Sequence, residues 1–413
     1  MWPLAESKSK HLLSVAGRPI IGYVLQALSE NGVKDICLVV GFKGDLIRSE
    51  LREGQQYGVH IEYLAQQKWT GTASALKVAH KALGNEPFLA VYGDLWLNHA
   101  ALQTVIEESR DCSKVMGIVR VNDPSGYGVV DLKGEKLAGI REKPQKSRQR
   151  PAWINSGIYV LDDEVFRVIE KTGKSKRAEY ELTSSLQKLL DEGKEIRAAI
   201  VAREDWLDIG KPWDLLEANE RVLSNLPHRV NGTVEEGATL KGPVWLEESA
   251  TIKTGSHVEG PVYIGRDSRI GPNSRVRPST SIGDSVIVGA SCEVKNSIIM
   301  NESNIPHLSY IGDSIIGERC NVAAGTITAN IRLDREVLSV RVKGRLQSTG
   351  RRKLGVIMGY DVQTGINASI MPGVRIGSGA YVGPGTVLFE DVPSGKAVFV
   401  KQSLISRRAK KRK

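Results

Sequence analysis

The second half of the chain carries an aliphatic residue at every sixth position over a long stretch. A period of six matches neither an α-helix nor an alternating strand, and it is typical of a parallel β-helix built from hexapeptide repeats. In such a fold the repeat residues point inward and stack, coil upon coil. The predicted stacking residues are Val234, Leu240, Leu246, Ile252, Val258, Ile264, Ile270, Val276, Ile282, Val288, Val294, Met300, Ile316, Val322, Met358, Thr364, Ile370, Ile376, Val382 and Leu388.

The repeat is predicted to break between Ile305 and Asn330. The next position in the series would be Pro306, and the spacing resumes only at Ile316. Because a break in a regular scaffold often marks a functional site, His307 becomes a candidate site residue. The alternative interpretation is a loop histidine that is simply hydrogen-bonded to a neighbouring coil.

Length and composition indicate a two-domain cytoplasmic protein. The 413 residues are enough for two domains, and we predict an α/β domain over residues 1–226, a β-helix over 230–400 and a basic tail over 401–413. No apolar run is long enough to cross a membrane, and no signal peptide opens the chain. Four scattered cysteines without a C-x-x-C pair predict reduced thiols and no cysteine metal site.

The net charge of +10 favours anionic ligands such as sugar phosphates and nucleotides. The tail supplies seven positive residues and no negative ones, so contact with nucleic acid or an anionic membrane is one interpretation. We favour a solvated terminus, and neither nucleic acid nor a membrane is an expected partner.

The first domain alternates strand-like and helix-like segments. Apolar runs at residues 36–40, 88–92, 115–119, 158–161 and 197–202 predict strands, and residues 20–30, 73–82 and 212–226 have helical patterns. The alternation predicts an α/β sandwich around a mostly parallel sheet.

Two aspartates of this domain follow predicted strands, where ligands bind in α/β folds. Asp94 and Asp208 are therefore candidate Mg²⁺ ligands, since Mg²⁺ takes one or two carboxylates together with substrate phosphates. Each could equally form a turn or cap a helix. Gly71 and Thr72, before a predicted helix, could bind a phosphate or a base, or could simply cap the helix.

Motifs along this domain resemble those of sugar-1-phosphate nucleotidylyltransferases, in family order. They lie at Pro3–Lys10, Val15–Pro19, Gly71–Leu76, Tyr92–Asp94, Tyr127–Gly128, Glu142–Pro144, Asn155–Tyr159 and Trp206–Lys211. The resemblance implies an α/β nucleotidyltransferase (Rossmann-like) fold, Mg²⁺ at Asp94 and Asp208, and a phosphate-binding Lys10. It also implies that Gly71 and Thr72 lie near the nucleobase and that Gly128, Glu142 and Asn155 surround the sugar.

The family opens with a strand and a Gly-rich loop of the form LAAGxGTRxxPL, and Met1 falls just after that position. The loop would hold the triphosphate through backbone N–H groups. We interpret Met1 as an internal methionine of a longer reading frame; the alternative is a chain that cannot transfer a nucleotide.

The second half resembles the acetyltransferase part of bifunctional sugar-1-phosphate nucleotidylyltransferase/acetyltransferases of the archaeal type, in the stretches His307–Asp313, Ala324–Asn330, Arg277–Pro278 and Lys295–Ser297. The family fold is a left-handed β-helix that usually assembles as a homotrimer. The resemblance implies acetyl-CoA as co-substrate, His307 as general base, Asn330 positioning the amine or His307, and the Ala324 N–H stabilising the oxyanion. It assigns the sugar phosphate to Arg277, Lys295, Tyr310 and Asn321.

The resemblance thus predicts a bifunctional enzyme of UDP-N-acetylglucosamine synthesis, which acetylates glucosamine-1-phosphate and couples a sugar-1-phosphate to UTP or dTTP. A basic segment, residues 340–353, either contacts phosphates of coenzyme A or the sugar, or is a solvated loop. One alternative is a nucleotidylyltransferase whose β-helix is only a trimerisation scaffold. Another is a non-catalytic regulatory relative.

Overall fold

A computed structural model describes residues 1–142, 151–175, 177–342 and 344–407. Two compact units divide the chain: an α/β unit of Lys8–Ser14 and Arg18–Gly210, and a β-helix unit of Met1–Ser7, Val15–Gly17 and Lys211–Lys413. Several residues of the predicted motifs lie outside the described part, namely Lys143, Pro144, Lys343 and the tail residues 408–413.

Seven α-helices lie in the described residues: α1 Ile20–Glu30, α2 Gly44–Leu51, α3 Thr72–Leu83, α4 His99–Glu108, α5 Glu164–Glu170, α6 Leu182–Asp191 and α7 Asp214–Ser224. Short 3₁₀ turns span Lys10–Leu12, Gln55–Tyr57 and Arg203–Asp205. The helices predicted over residues 20–30, 73–82 and 212–226 are confirmed as α1, α3 and α7. Among these helices, none combines the length and apolar character that a membrane span requires.

The strands up to residue 208 are β1 Ser14–Val15, β2 Arg18–Pro19, β3 Asp35–Val40, β4 His60–Ala65, β5 Phe88–Val91, β6 Leu95–Leu97, β7 Val115–Val121, β8 Gly128–Lys133, β9 Lys136–Glu142, β10 Ala152–Leu161, β11 Arg197–Ile200 and β12 Trp206–Asp208. The main sheet has the order β5-β10-β7-β11-β9-β8. Helices pack on it through two apolar clusters, one including Phe166 and Leu186, the other Leu102 and Val105.

The prediction of a mostly parallel sheet is wrong. Among the described strands of the main sheet, β7 and β11 are parallel, whereas β10 runs antiparallel to β5 and β7, and β9 runs antiparallel to β8 and β11. Parallel neighbours need a long crossover. The described residues between β7 and β10 instead form the hairpin β8–β9, so β10 returns antiparallel.

The β-helix unit has three faces of parallel strands. The first face holds β13 Arg229–Val230, β16 Val244–Leu246, β19 Val262–Ile264, β22 Thr280–Ile282, β25 Ile298–Ile299, β28 Ile315–Ile316, β33 Ile357–Met358 and β36 Arg375–Ile376. The second holds β14 Thr233–Val234, β17 Thr251–Ile252, β20 Arg269–Ile270, β23 Ile287–Ala290, β26 Asn304–His307, β29 Asn321–Val322, β34 Gln363–Thr364, β37 Tyr381–Val382 and β39 Ala397–Val398. The third holds β15 Thr239–Lys241, β18 His257–Glu259, β21 Arg275–Val276, β24 Glu293–Lys295, β27 Tyr310–Gly312, β30 Ile327–Thr328, β35 Ser369–Ile370 and β38 Val387–Leu388.

The hexapeptide prediction is confirmed by the core of this unit. Most of the predicted stacking residues are fully buried in one continuous cluster, and Val234 and Leu240 pack against its end. A single insertion leaves the stack after β30 and forms an antiparallel hairpin, β31 Ser339–Val342 with β32 Arg345–Ser348. The stack then continues, because Ile357 of β33 pairs with Ile315 of β28.

The predicted break at Pro306 is wrong, since the stack is unbroken there. Ile299, and not Met300, stacks on Ile282, and Ile305 and Ile311 carry the stack onward. Two steps, from Val294 to Ile299 and from Ile311 to Ile316, are five residues long instead of six. Each short step contains a tight corner between the third and first faces, with a left-handed residue at Asn296 (φ 44°) and Asp313 (φ 49°).

Candidate functional site

A cavity of about 340 Å³ lies in the α/β unit. It includes the predicted site residues Thr72, Asp94, Gly128, Glu142, Asn155 and Asp208. Further lining residues are Tyr92, Leu95, Gly126, Tyr127, Ser156, Gly157, Arg177, Glu179, Glu181, Thr183 and Trp206. The structure thus brings most of the predicted transferase residues to one place.

Strand pairing places the two predicted metal ligands side by side. β12 is antiparallel to β6, and Asp208 faces Leu95, the residue directly after Asp94. The backbone N–H of Ile209 also donates to the carbonyl oxygen of Asp94 at 3.0 Å. Two carboxylates that are 114 residues apart in sequence, at positions 94 and 208, therefore lie at the same edge.

A cation lies against one of these carboxylates. The ammonium group of Lys10 donates a hydrogen bond to Oδ2 of Asp94, whose side chain is 21% exposed. Burial raises the pKa of Asp94, but Lys10 and the neighbouring His11 outweigh it, and the pKa lies below its ordinary value. Asp94 is therefore ionised at neutral pH.

The donor set fits Mg²⁺. No cluster of three or more His, Cys, Asp or Glu side chains with metal-ligand geometry occurs within the described residues. Asp94 and Asp208 would supply two hard oxygen ligands, and phosphates and water would complete the shell, as Mg²⁺ prefers. A structural zinc site, with four protein ligands, does not match this arrangement.

The far end of the cavity is built around Glu142. Thr183 donates to its Oε2 at 2.9 Å, and Arg177 reaches its Oε1 at 3.2 Å. Asn155 is fixed by its own contacts, since Gly157 N–H donates to its Oδ1 at 2.9 Å and its Nδ2 donates to Tyr159 Oη at 2.5 Å. These polar groups present a hydrogen-bonding surface suited to sugar hydroxyls.

Gly71 and Thr72 begin helix α3. Gly71 has φ +125°, and a Cβ added there would lie 2.3 Å from the carbonyl oxygen of Tyr180, so only glycine fits. Thr72 Oγ1 accepts a hydrogen bond from Leu182 N–H at 2.9 Å. The start of α3 is thus tied to the segment that carries Arg177 and Thr183.

A second polar group lies in the β-helix unit, at the corner that follows the third face. We call Arg277, Lys295, Asn296, Tyr310, Asp313 and Asn330 the corner cluster. Asn330 Nδ2 donates to Tyr310 Oη at 3.2 Å and to Asp313 Oδ2 at 2.5 Å. A Cβ on Gly312 would lie 2.5 Å from Tyr310 Oη, so the missing side chain allows the tyrosine to reach Asn330.

Charges converge on this cluster. Lys295 Nζ lies 3.7 Å from Asp313 Oδ2, and Arg277 pairs with Glu293 at 2.9 Å. Burial, followed by the positive charges of Lys353 and Arg277, holds the pKa of Lys295 below its ordinary value, although Asp313 opposes this. A cationic site whose charge is incompletely compensated is suited to a phosphate.

Several buried polar atoms of this region have no hydrogen-bond partner among the described residues. They are Arg277 Nε, Asn296 Oδ1 and, beside them, Arg351 Nε at the base of the inserted hairpin. Arg351 is held by Glu220 of α7 through a 2.5 Å bond, and Glu220 also accepts from Asn296 Nδ2 at 3.1 Å. Unpaired buried donors are costly and are common at binding sites.

The assignment of Asn321 to the sugar phosphate stays a prediction, because within one chain the structure does not bring Asn321 to the corner cluster. Asn321 is exposed on the second face, in register with Asn304 and Gln363. His307 is exposed at the end of β26 on the same face, and Ala324 receives Asn367 N–H on its carbonyl at 2.8 Å. In the part of the chain that the structure describes, no side-chain hydrogen bond or ion pair links His307 to the corner cluster.

Sequence reasoning did not single out Arg177, Thr183 or Asp313, whereas Arg351 lies in the predicted basic segment 340–353. Arg177 and Thr183 stand in segments without a recognisable pattern, and their role emerges only from contacts with Glu142. Asp313 belongs to the recognised stretch His307–Asp313, but its place in the site depends on the short corner. A fixed six-residue period does not predict that corner.

The sequence matches the nucleotidyl transferase family over residues 1–225, the GMPPB C-terminal domain over 258–364 and the bacterial transferase hexapeptide repeat over 355–390. It is 42% identical over 406 residues to bifunctional protein GlmU of Methanococcus maripaludis strain C7, covering 98% of this chain and 95% of that protein. GlmU of Methanocaldococcus jannaschii is 38% identical over 410 residues, covering 99% and 96%. The bifunctional sugar-1-phosphate nucleotidylyltransferase/acetyltransferase of Sulfurisphaera tokodaii is 39% identical over 400 residues, covering 95% of each chain.

Proposed function

Because this chain belongs to the family of bifunctional GlmU proteins, we propose that it catalyses two reactions of UDP-N-acetylglucosamine synthesis. The β-helix unit transfers an acetyl group from acetyl-CoA to glucosamine-1-phosphate. The α/β unit then couples the product to UTP and releases pyrophosphate. The observation that carries the proposal is that each unit holds its own polar site, in a chain related to these enzymes over 98% of its length.

In the acetyl transfer, the sugar amine attacks the thioester carbonyl of acetyl-CoA. A C–N bond forms, the C–S bond breaks, and the amine proton passes to His307 while the CoA thiolate leaves. An imidazole, with an ordinary pKa of about 6.5, suits this role near neutral pH. Arg277 and Lys295 bind the phosphate, Tyr310 and Asn330 hold the sugar, and the Ala324 N–H stabilises the oxyanion.

The acceptor must lie across strand β27 to contact both His307 and the corner cluster. His307 precedes this strand, and Asn330 follows β30, which pairs with β27 on the third face, so the outer surface of that face connects them. A neighbouring chain packed on this face would enclose the acceptor and bring Asn321 to the site. This arrangement supports a homotrimer whose acetyl-transfer sites lie between subunits.

In the nucleotidyl transfer, an oxygen of the sugar-1-phosphate attacks the α-phosphorus of the nucleoside triphosphate, and pyrophosphate leaves. Such reactions depend on positioning and charge neutralisation more than on covalent help from the protein. Lys10 binds phosphate, Gly71 and Thr72 approach the base, and Gly128, Glu142 and Asn155 hold the sugar. Mg²⁺ bound by Asp94 and Asp208 would neutralise the phosphate charge.

The acetyl transfer is tested by release of free thiol from acetyl-CoA in the presence of glucosamine-1-phosphate. We expect turnover by the wild type and its loss in His307→Ala. His257→Ala, on strand β18 of the same unit, is the matched control and should keep wild-type turnover. A folded wild type that releases no thiol with glucosamine-1-phosphate or galactosamine-1-phosphate would reduce the β-helix to a scaffold.

The nucleotidyl transfer is tested by pyrophosphate release from UTP, with dTTP in parallel, and N-acetylglucosamine-1-phosphate as acceptor. Asp208→Asn should abolish this release and leave thiol release unchanged. Loss of both activities in Asp208→Asn would contradict the assignment of one reaction to each unit.

A further inference from the structure

We propose that Asp313 is a positioning residue for acetyl transfer: its carboxylate fixes the side-chain amide of Asn330 so that the amide oxygen is left to bind the amino group of the acceptor. The proposal rests on the acetyl transfer proposed above. It adds Asp313, which does not itself contact the substrate and acts through Asn330.

Asp313 is buried and firmly held. Its side chain is 3% exposed, its N–H donates to Lys295 O at 2.9 Å, and its carbonyl accepts from Gly355 N–H at 2.7 Å. Its two carboxylate oxygens take one amide each, Oδ1 from Asn296 Nδ2 at 2.8 Å and Oδ2 from Asn330 Nδ2 at 2.5 Å. The carboxylate therefore has a fixed position between two asparagines.

The short corners create this arrangement. Asn296 and Asp313 occupy the same corner position in successive coils, and both have left-handed backbone conformations. Asn330 follows at the next coil, where the chain departs into the inserted hairpin, and its carbonyl accepts Leu354 N–H at 2.9 Å when the chain returns. Three polar residues thus stack in a column, one per coil, with Asp313 in the middle.

A carboxylate only accepts hydrogen bonds when ionised, so it decides which way an adjacent amide faces. The Asn330 NH₂ group must point toward Asp313, and its second N–H is taken by Tyr310 Oη. Both amide donors are used, and Oδ1 is the atom left for a ligand. With a reversed amide, Oδ1 would face the carboxylate and be repelled.

The orientation matters for the chemistry. The acceptor amine must present its lone pair to the thioester carbon while its N–H groups are held. If the Asn330 amide oxygen accepts an N–H of the acceptor amine, the lone pair of the amine is free to face the thioester carbon. The NH₂ group of a reversed Asn330 would instead donate a hydrogen bond to that lone pair. Misplacement of a reacting group by about 1 Å can cost about 100-fold in rate.

The test compares Asp313→Asn with Asp361→Asn by thiol release. Both aspartates have left-handed backbones, φ 49° and 57°, which asparagine tolerates. Asp361 pairs with Arg319 at 2.8 and 2.9 Å, away from the corner cluster. We expect Asp313→Asn to lower kcat about 100-fold without raising the KM for the sugar phosphate, and Asp361→Asn to match the wild type.

A double-mutant cycle separates positioning from a merely structural role. If Asp313 acts through Asn330, Asp313→Asn should have less than about a twofold effect on kcat in an Asn330→Ala background. Tyr310→Phe removes the other acceptor of the same amide, so it should lower kcat less in that background than in the wild type, and the loss of its own contact with the sugar should be seen in the KM. Effects that multiply in these cycles would overturn the proposal.

The remaining outcomes are also decisive. If the wild type releases thiol and Asp313→Asn keeps the wild-type kcat, the positioning role of Asp313 is contradicted and the proposed acetyl transfer is supported. If the wild type releases no thiol with either amino sugar phosphate, both fall together. If Asp313→Asn does not fold, the Tyr310→Phe cycle still shows whether the amide of Asn330 needs its anchors.

Discussion

Lys10 and Asp94, 84 residues apart in the chain, are joined by a hydrogen bond from the ammonium group to Oδ2. This contact occupies one carboxylate of the α/β cavity and holds it ionised, since the Lys10 charge lowers the pKa of Asp94 against the effect of burial. In the proposed nucleotidyl transfer, a phosphate would meet this cation and the two carboxylates together, and Lys10 and Mg²⁺ held by the carboxylates would share the neutralisation of its charge.

Removing Lys10 should shift the acid limit of nucleotidyl transfer. In Lys10→Met the pKa of Asp94 rises, because the lowering charge is gone while burial remains. Since transfer requires the ionised carboxylate, we expect the acid limb of the kcat/KM profile for pyrophosphate release to move to higher pH. Lys77→Met is the control, since Lys77 forms an exposed pair with Glu170. An unchanged limb in Lys10→Met would mean that Asp94 does not titrate in this reaction.

Chelation of divalent metal should separate the two activities. We expect EDTA to abolish pyrophosphate release and to leave thiol release intact, because both proposed Mg²⁺ ligands, Asp94 and Asp208, lie in the α/β unit. Asp94→Asn should raise the Mg²⁺ concentration needed for half-maximal rate. Pyrophosphate release that persists in EDTA would contradict the assigned role of the two aspartates.

Gly71→Ala should damage the α/β unit selectively. The added Cβ would lie 2.3 Å from Tyr180 O, at φ +125°, and we expect a loss of about 1–3 kcal/mol in the free energy of unfolding. Gly173→Ala is the control, since Gly173 is exposed, its φ lies outside the left-handed range and an added Cβ would have no atom within 4 Å, so the change should stay within about 0.5 kcal/mol. Thermal melting and both enzyme assays distinguish them: Gly71→Ala loses nucleotidyl transfer and keeps acetyl transfer.

The alkaline limit of acetyl transfer should follow Lys295. Its pKa is lowered by burial and by Lys353 and Arg277, and raised by Asp313, so it loses its charge at lower pH than an ordinary lysine. As Lys295 loses its charge, phosphate binding should weaken. We expect the KM for the sugar phosphate to rise with pH while the KM for acetyl-CoA stays constant. Lys353→Met should move this rise to higher pH and Asp313→Asn to lower pH.

Lys396→Met, a change at an exposed residue of the same unit, should leave that profile in place. Equal movement of both KM values would indicate that the cations contact the CoA phosphates as well.

The stacked core of the β-helix could be predicted because each coil repeats the same physical requirement. An aliphatic residue such as Val288 or Ile370 must point inward at a fixed interval. The six-residue spacing mispredicted the stack at two short corners. At Asn296 and at Asp313 a left-handed backbone turns the chain one residue early, and a fixed period cannot predict such a turn. The main sheet of the α/β unit was mispredicted because alternation of segments does not reveal that β8 and β9 form a hairpin.

The site residues divide in the same way. Asp94, Glu142 and Asn155 occur in recognisable motifs, and the structure gathers them around one cavity. Arg177 could not be predicted, since it belongs to no recognisable motif and contacts Glu142 from 35 residues away in the sequence. The resemblance assigned Asn321 to the residues that bind the sugar phosphate, but the strand of Asn321 lies on a different face from that of Lys295.

The inserted hairpin lengthens the chain between neighbouring strands without lengthening the stack. Ile315 and Ile357 pair across 42 residues, whereas Ile298 and Ile315 pair across 17. Loop-closure entropy grows only with the logarithm of loop length, so the longer excursion costs about 0.8 kcal/mol more than the short one. A coil boundary can therefore accommodate an inserted segment at little cost in stability, and here the insertion places Arg351 and Lys353 beside the corner cluster.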